Sequence, residues 1–308
     1  MKLLAINAGR RMGNTEICIK EALKAAEEMG AEVQLINLHD YNLKPCTGCE
    51  MCMLKMQKGE KPECVHKDDM DKIMQVALRV DGLIIGAPTY EMQPAGLYTV
   101  FANRFLPYET ALLKESGNLE ELPQRVAGLI TAGGSTLTWM NMSLPSMYIS
   151  MLNQSVKVVD QLMATGVGRP GQVVLKEDTL DKAGKMGQNL VKAMQTPYEK
   201  VEYLGEEQGM CPVCHSNLIY KGKTRWDGEY YQFECAVCAA GGTLEKNDKG
   251  EIAFVVDEKS LRTTRMSDET RNDHFYEVKN HINEFFSNVE TVKARIGKYR
   301  DYKVCGLE

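Results

Sequence analysis

The chain of 308 residues has no uncharged apolar run near the roughly 18 residues a membrane helix requires, and so predicts no membrane partner. Its apolar start, MKLLAIN, runs straight into Asn7, Gly9, Arg10 and Arg11 without a small-residue cleavage site, which predicts a cytoplasmic protein. A basic excess is missing too. The net charge is -5, and residues 205–308 carry 15 basic against 18 acidic side chains, so neither part offers the basic footprint that a nucleic-acid partner needs. Histidine is scarce, and His39, His66, His274 and His281 form no Ser/His/Asp or His-x-x-x-His pattern, so hydrolysis by a triad or a zinc-bound water has no support. Nucleoside triphosphate and dinucleotide fingerprints, G-x-x-x-x-G-K-[ST] and G-x-G-x-x-G, are absent, as are internal repeats and low-complexity stretches.

What remains is an ordinary globular balance, 44% hydrophobic and 26% charged, long enough for about two domains. From the N-terminus, strand and helix patterns alternate, the signature of a parallel sheet with crossover helices. Apolar runs at Lys2 to Asn7, Val33 to Leu38, Gly82 to Gly86 and Val126 to Thr131 read as buried strands; the fifth is Lys157 to Gln161 or Gln172 to Leu175. Helical spacing begins at Ile17, again at Met70 to Val80 behind the cap candidates Asp68 and Asp69, and again at Asp178 to Gln195. The prediction is an α/β doubly wound, five-stranded parallel sheet of the flavodoxin type over residues 1–204, with its ligand at the carboxyl ends of the strands. A polar linker then leads to a small separate module over residues 205–256. Over residues 267–302 one long helix is expected, in which Phe275, Val278, Ile282, Phe285, Val289, Val292, Ile296 and Tyr299 keep a heptad seam.

The loop after the first strand, Asn7 to Thr15, is rich in glycine and opens a helix. Unpaired backbone N–H groups and the helix dipole make such a loop an anion site, to which Gly13, Asn14, Thr15 and Arg10 or Arg11 add flexibility and donors. A turn capped by Asn14 is the purely structural alternative. At the end of the third strand, GAPTYEMQPAGLYTVFANRF places Pro88, Thr89, Tyr90 and Glu91 at the sheet edge before another helix. Together these segments resemble the G-S-P-R-x-x-G-N-T phosphate loop and the PTY isoalloxazine loop of the NADPH-dependent FMN reductase and iron-sulfur flavoprotein group. Ala8 and Gly9 replace the Ser and Pro usual there. The resemblance covers Met1 to about Gln195. It implies FMN with Arg10, Gly13, Asn14 and Thr15 at the phosphate, and Pro88, Thr89, Tyr90 and Glu91 at the ring. Gly133 and Gly134, within Ala132 to Ser135 after the fourth strand, would flank the flavin. Trp139, Met140, Met142, Pro145 and Met147 follow as either a substrate pocket or core packing.

Eight of the ten cysteines fall in two groups, which without an export signal read as metal or cluster ligands rather than disulfides. Cys46, Cys49 and Cys52 stand at i, i+3 and i+6, with Cys64 eleven residues further on. Four thiolates so spaced suit a 4Fe-4S cluster, as the resemblance also implies; a zinc site or free thiols are the alternatives. Cys211, Cys214, Cys235 and Cys238 form two knuckles twenty residues apart, the spacing of a zinc ribbon, with rubredoxin-like iron as the alternative. Rubredoxin knuckles normally place Gly after the second cysteine, where this chain has His215 and Ala239. Of the remaining two, Cys18 is read as core and Cys305 is given no role.

The expected protein is therefore an FMN oxidoreductase, taking electrons from NAD(P)H or reduced ferredoxin through FMN and the cluster to an acceptor not identified by sequence. A non-enzymatic electron carrier or redox sensor is the alternative. The heptad seam predicts a homodimer or homotetramer.

Overall fold

The computed structural model describes residues 1–109, 117, 124–152, 156–206, 209–225 and 228–303; Trp226 and Cys305 fall outside them. In chain order the first part runs β1 (Lys2–Asn7), α1 (Asn14–Glu28), β2 (Glu32–Asn37), α2 (Met51–Gln57), α3 (Met70–Ala77), β3 (Gly82–Tyr90) and β4 (Gln93–Pro94). It continues with α4 (Gly96–Ala102), β5 (Arg125–Ala132), α5 (Ser143–Met151), β6 (Val156–Ala164) and α6 (Glu177–Gln195). The order across the sheet is β2-β1-β3-β5-β6 with all pairs parallel, the flavodoxin-like arrangement expected from the alternating pattern. Of the two candidates for the last strand, Val156–Ala164 is the strand, while Gln172–Leu175 is a short 3-10 turn.

Alternation along the buried strands builds two cores. Leu3 and Ala5 face α1 and α6, packing with Cys18, Ile19, Ala22, Met186 and Leu190. Leu4 and Ile6 face α3, α4 and α5, packing with Ile73, Phe101, Met147 and Met151. The helices α1 and α6 cross so closely that a Cβ on Gly187 would lie 2.0 Å from the Ala22 carbonyl oxygen, so only glycine fits there.

Beyond residue 209 come β7 (Ile219–Lys221), β8 (Phe233–Cys235), β9 (Gly241–Lys246) and β10 (Ile252–Val256), one antiparallel sheet in the order β10-β9-β8-β7. A short α7 (Glu258–Arg262) leads to α8 (Asp268–Ser287) and α9 (Val289–Arg300). Two expectations are corrected here. The ribbon is not separate: Cys211, Cys214, Cys235, Cys238, Val237 and Phe254 share one core with Leu129, Met147, Tyr148 and Val158 of the parallel-sheet domain. Nor is the C-terminal helix continuous. It breaks at Asn288, whose side-chain amide donates to the Glu284 carbonyl at 2.8 Å, a local bond that competes with helix propagation. The first part of the seam, Phe275, Val278 and Ile282, packs on Met53 and Met56 of α2, whereas no residue of α9 is buried.

Candidate functional site

Four loops meet at the carboxyl edge of the parallel sheet. In the first, between β1 and α1, the buried Asn7 side chain fixes the exit: its Nδ2 donates to Gly9 O at 3.0 Å and Asn37 Oδ1 at 2.6 Å, and its Oδ1 accepts from Gly9 N at 2.9 Å. A Cβ on Gly9 would lie 3.2 Å from the Pro88 ring, so glycine lets this loop sit against the next one. Met12, held at φ 52, donates its N–H to the buried Glu16 carboxylate at 3.0 Å, and Glu16 is neutralised by Lys20 at 2.7 Å. The backbone N–H groups of Asn14, Thr15 and Glu16, in the first turn of α1, have no hydrogen-bond partner among the described residues. Arg11 is paired with Asp40 at 2.5 Å, which raises its pKa, while Arg10 is exposed and unpaired among the described residues.

Asn14 is used differently from the sequence expectation. Its side-chain amide donates to the carbonyls of Val167 and Arg169 at 2.7 and 2.9 Å, and its Oδ1 accepts from Val173 N at 3.0 Å. Both amide hydrogens are thus committed to the loop after β6. That loop also joins the one after β5: Val167 donates to Gly133 O at 2.9 Å, and a Cβ on Gly134 would lie 3.0 Å from Gly168 Cα.

The remaining loop follows β3. Thr89 Oγ1 lies 2.9 Å from Thr131 Oγ1 and 2.8 Å from Ser143 Oγ, so three hydroxyls tie the ends of β3 and β5 to α5. Beyond it, Tyr90 and Gln93 pair across a tight turn at Glu91 and Met92, which have φ of 47 and 65. Two left-handed residues make a type I′ hairpin, normally built from Asn-Gly, and Glu-Met gave no sequence signal for it. Strain of this kind concentrates at functional loops. The turn leaves Tyr90 55% exposed, and Trp139 after β5 is 57% exposed, with Leu137 and Met142 also open to solvent. Met140 and Met147 from the same stretch are core residues. A cavity of about 1210 Å³ lies elsewhere, between α8, the ribbon and the cysteine loop, and takes no lining residue from this edge.

The Cys46 group lies on the loop between β2 and α3. Gly48 and Glu50, both at positive φ, flank Cys49 in a tight bend, leaving Cys46 and Cys49 exposed and Cys52 and Cys64 partly buried. Burial pushes the Cys52 thiol up to about 11. These four thiols are not gathered to the spacing of a single ion; among the described residues only the ribbon set is. A cluster spreads its thiolates more widely than an ion does. The loop is closed at its base by Arg104, whose Nη1 donates to Asp68 Oδ2 and the Lys44 carbonyl, both at 2.7 Å, while Lys44 N donates to Asp68 at 2.9 Å. Burial alone would raise the Asp68 pKa, but Arg104 and the N–H groups of Lys44 and Met70 overcome it and hold the carboxyl at about 2. Sequence reading missed this clamp, because Arg104 follows α4 and nothing local marks it.

In the ribbon, Cys211 Sγ lies 3.6 Å from Cys238 Sγ and Cys214 Sγ 3.5 Å from Cys235 Sγ, with all four buried. Tetrahedral ligation at a metal–sulfur distance of 2.3 Å needs sulfurs about 3.8 Å apart, so the set fits one ion. His215 and Ala239 hold φ of 58 and 62, the conformation glycine would adopt after each knuckle. His215 is also stacked on Tyr203, with ring centroids 3.7 Å apart.

Residues 1–167 match the model of the NADPH-dependent FMN reductase family. Flavone synthase cfoJ of Aspergillus candidus is 26% identical over 273 residues, covering 83% of this chain and 82% of its own length. An iron-sulfur flavoprotein of Archaeoglobus fulgidus is 28% identical over 203 residues, covering 64% of this chain and 82% of its own. Among solved structures, a flavone reductase superposes with a TM-score of 0.75 at 24% identity, covering all of both chains, which shows a common fold that includes the ribbon and C-terminal helices.

Proposed function

Since this chain belongs to the NADPH-dependent FMN reductase family and is an FMN-dependent oxidoreductase, we propose that it draws electrons from NAD(P)H or reduced ferredoxin and delivers them through FMN to a planar aromatic acceptor. The phosphate is held by the free N–H groups of Asn14, Thr15 and Glu16, by the Thr15 hydroxyl and by Arg10, with Gly13 giving the turn its close approach. Asn14 acts here by bridging the loops. Pro88, Thr89, Tyr90 and Glu91 hold the ring from one side, Gly133 and Gly134 from the other, and the Thr89 hydroxyl triad keeps that loop at fixed height. Bound FMN supplies hydride and single-electron transfer itself. Tyr90, Leu137 and Trp139 offer an apolar rim for a flat substrate, and the flavone named for the Aspergillus candidus relative is such a molecule.

Cys46, Cys49, Cys52 and Cys64 would hold a 4Fe-4S cluster, and unpaired buried nitrogens of Gln57, His66 and Arg104 on and beneath that loop fit a group absent from the protein chain. The cluster would supply one-electron storage. Cys211, Cys214, Cys235 and Cys238 hold zinc in a closed, structural site. Two or more copies associate through the exposed part of the C-terminal seam. No helix among the described residues is long and apolar enough to cross a membrane.

The observation carrying this reading is the set of unpaired N–H groups at α1 facing the same edge as the strained Tyr90 turn. Its test is anaerobic purification with flavin, iron and zinc quantified together, followed by NADH, NADPH or reduced ferredoxin oxidation with a flavone as acceptor. Stoichiometric FMN that is lost from Arg10→Ala with Thr15→Ala supports the site. Tight binding of FMN by that double variant would put the phosphate elsewhere, and failure of every planar acceptor would remove the substrate class.

A further inference from the structure

The hydroxyls of Thr89, Thr131 and Ser143 form a chain with Thr89 in the middle, its Oγ1 2.9 Å from Thr131 Oγ1 and 2.8 Å from Ser143 Oγ. Thr131 and Ser143 are 0% exposed, whereas Thr89, at the carboxyl end of β3, is only partly buried. Among the described residues no other hydrogen bond reaches any of these three side chains.

That arrangement fixes where the hydrogens point. Each hydroxyl owns one hydrogen and two lone pairs, and the two contacts use two of the three hydrogens. One is left over. On Thr131 or Ser143 it would lie in the core without an acceptor, at a cost of about 1–3 kcal/mol. Both buried hydroxyls therefore donate to Thr89, and the spare hydrogen is the one on Thr89. Its two lone pairs are then filled, so the oxygen is closed to further donors, and each bond it accepts polarises its own O–H. Glycine at position 133 leaves this side chain clear on one flank, since a Cβ there would lie 3.3 Å from the Thr89 Cβ.

We propose that Thr131 and Ser143 are positioning residues that set Thr89 as a one-way hydrogen-bond donor to an acceptor atom of the isoalloxazine ring, a carbonyl oxygen or an unprotonated nitrogen. The inference rests on the FMN reading above. The ring's imide N–H is excluded as partner, because Thr89 has no lone pair left to receive it. Reduction raises the electron density on the ring's acceptor atoms, so a fixed donor there favours the reduced ring and raises the flavin potential.

The test uses the full chain with FMN bound. Thr89→Val should make flavin reduction about tenfold less favourable, or about 30 mV for two electrons, and Thr89→Ser should restore the wild-type potential. Thr131→Val with Ser143→Ala leaves Thr89 in place but undirected, and should shift the potential the same way by roughly threefold. NMR of isotope-labelled FMN should show one ring acceptor atom whose signal moves in Thr89→Val and returns in Thr89→Ser. Thr89→Val strands two buried hydroxyls; should it fail to fold, the triple change Thr89→Val, Thr131→Val and Ser143→Ala, which replaces the whole chain by apolar groups, takes its place. Wild-type potential and signals without the Thr89 hydroxyl would overturn the ring contact, even with a raised KM for a planar acceptor. A shift confined to the imide nitrogen would overturn the donor direction, and an unmoved potential in Thr131→Val with Ser143→Ala would overturn the role of the buried pair. Wild type that binds no FMN would sink the site reading itself, an outcome distinct from FMN bound at an unmoved potential.

Discussion

The side-chain amide of Asn14 donates to the carbonyl oxygen of Val167 at 2.7 Å, joining the loop after β1 to the loop after β6 across 153 residues of sequence. With the bonds to Arg169 and Val173, one small side chain makes three links between segments that no strand pairing connects. The loop after β1 is therefore tied to the loop after β6 by the Asn14 side chain.

Loss of those links should cost stability and flavin together. Asn14→Ala removes three hydrogen bonds at about 0.5–1.5 kcal/mol each, and Asn14→Asp goes further by setting a carboxylate against two carbonyl oxygens. We expect FMN affinity to fall about tenfold in Asn14→Ala and more in Asn14→Asp, with thermal unfolding in the same order. An Asn14→Asp protein as stable as wild type would show that the bridge bears no load.

The parallel sheet was legible because its strands are buried on both faces and read as continuous apolar runs. The gathering of Cys211, Cys214, Cys235 and Cys238 was legible from cysteine spacing. Contacts set by tertiary packing were not. Thr89, Thr131 and Ser143 come together only once β3 and β5 are adjacent, and Arg104 meets Asp68 only once α4 lies beside the cysteine loop. Glu91 and Met92 form a type I′ turn that their own chemistry disfavours, so a local rule applied correctly misses it. The break at Asn288 was hidden by a seam that keeps its period across it.

Because the ribbon cysteines share a core with Met147, Tyr148 and Val158, metal loss should not stay local. Cys214→Ala, or removal of the ion by a chelator, should lower the unfolding temperature of the whole chain in one transition. Calorimetry would reveal two separate transitions if the ribbon folded on its own.

Ala239 occupies left-handed backbone at φ 62, which costs a residue with a Cβ about 1–2 kcal/mol. Ala239→Gly should therefore stabilise the metal-loaded protein by about 1 kcal/mol after glycine's entropy is counted, the reverse of its usual effect. His215→Gly should not, since it also removes the stack on Tyr203. Equal effects of the two changes in denaturant titrations would refute this account.

Asp160, buried on β6, has its carboxyl raised to about 6 by burial, which the hydrogen bond from Asn189 at 2.8 Å only partly offsets; nearby Glu206 adds to the rise. A folded pKa above the unfolded one means that folding resists ionisation. Stability is unpenalised below about pH 4, falls between 4 and 6, and stays reduced above 6. Asp160→Asn keeps an acceptor for Asn189 and should gain up to about 3 kcal/mol at pH 7 and nothing at pH 4. A gain independent of pH would mean that the carboxylate is not the cause.

The last expectation concerns self-association. Phe275 and Ile282 are covered by α2, but the same stripe runs on through Phe285, 48% exposed, and past Asn288 with Ile296 45% and Tyr299 68% exposed. No residue of the amphipathic α9 is fully buried and only Val289 and Val292 of its seam are partly covered, so most of its apolar face is open to a second copy. Charge selects the direction. Val289–Arg300 carries four basic residues against one acidic, and Asp268–Ser287 five acidic against two basic. An antiparallel pair therefore sets each basic helix along the acidic helix of its mate, where Tyr276 and Phe286 are exposed. Truncation after Ser287 is the appropriate cut, because removing α8 as well would uncover Met53 and Met56. That truncation, or Ile296→Glu with Tyr299→Glu, should give a monomer by light scattering that retains flavin, while wild type associates and loosens in high salt. Wild-type mass in both variants would place the contact on the parallel-sheet domain, leaving α9 without a role in assembly.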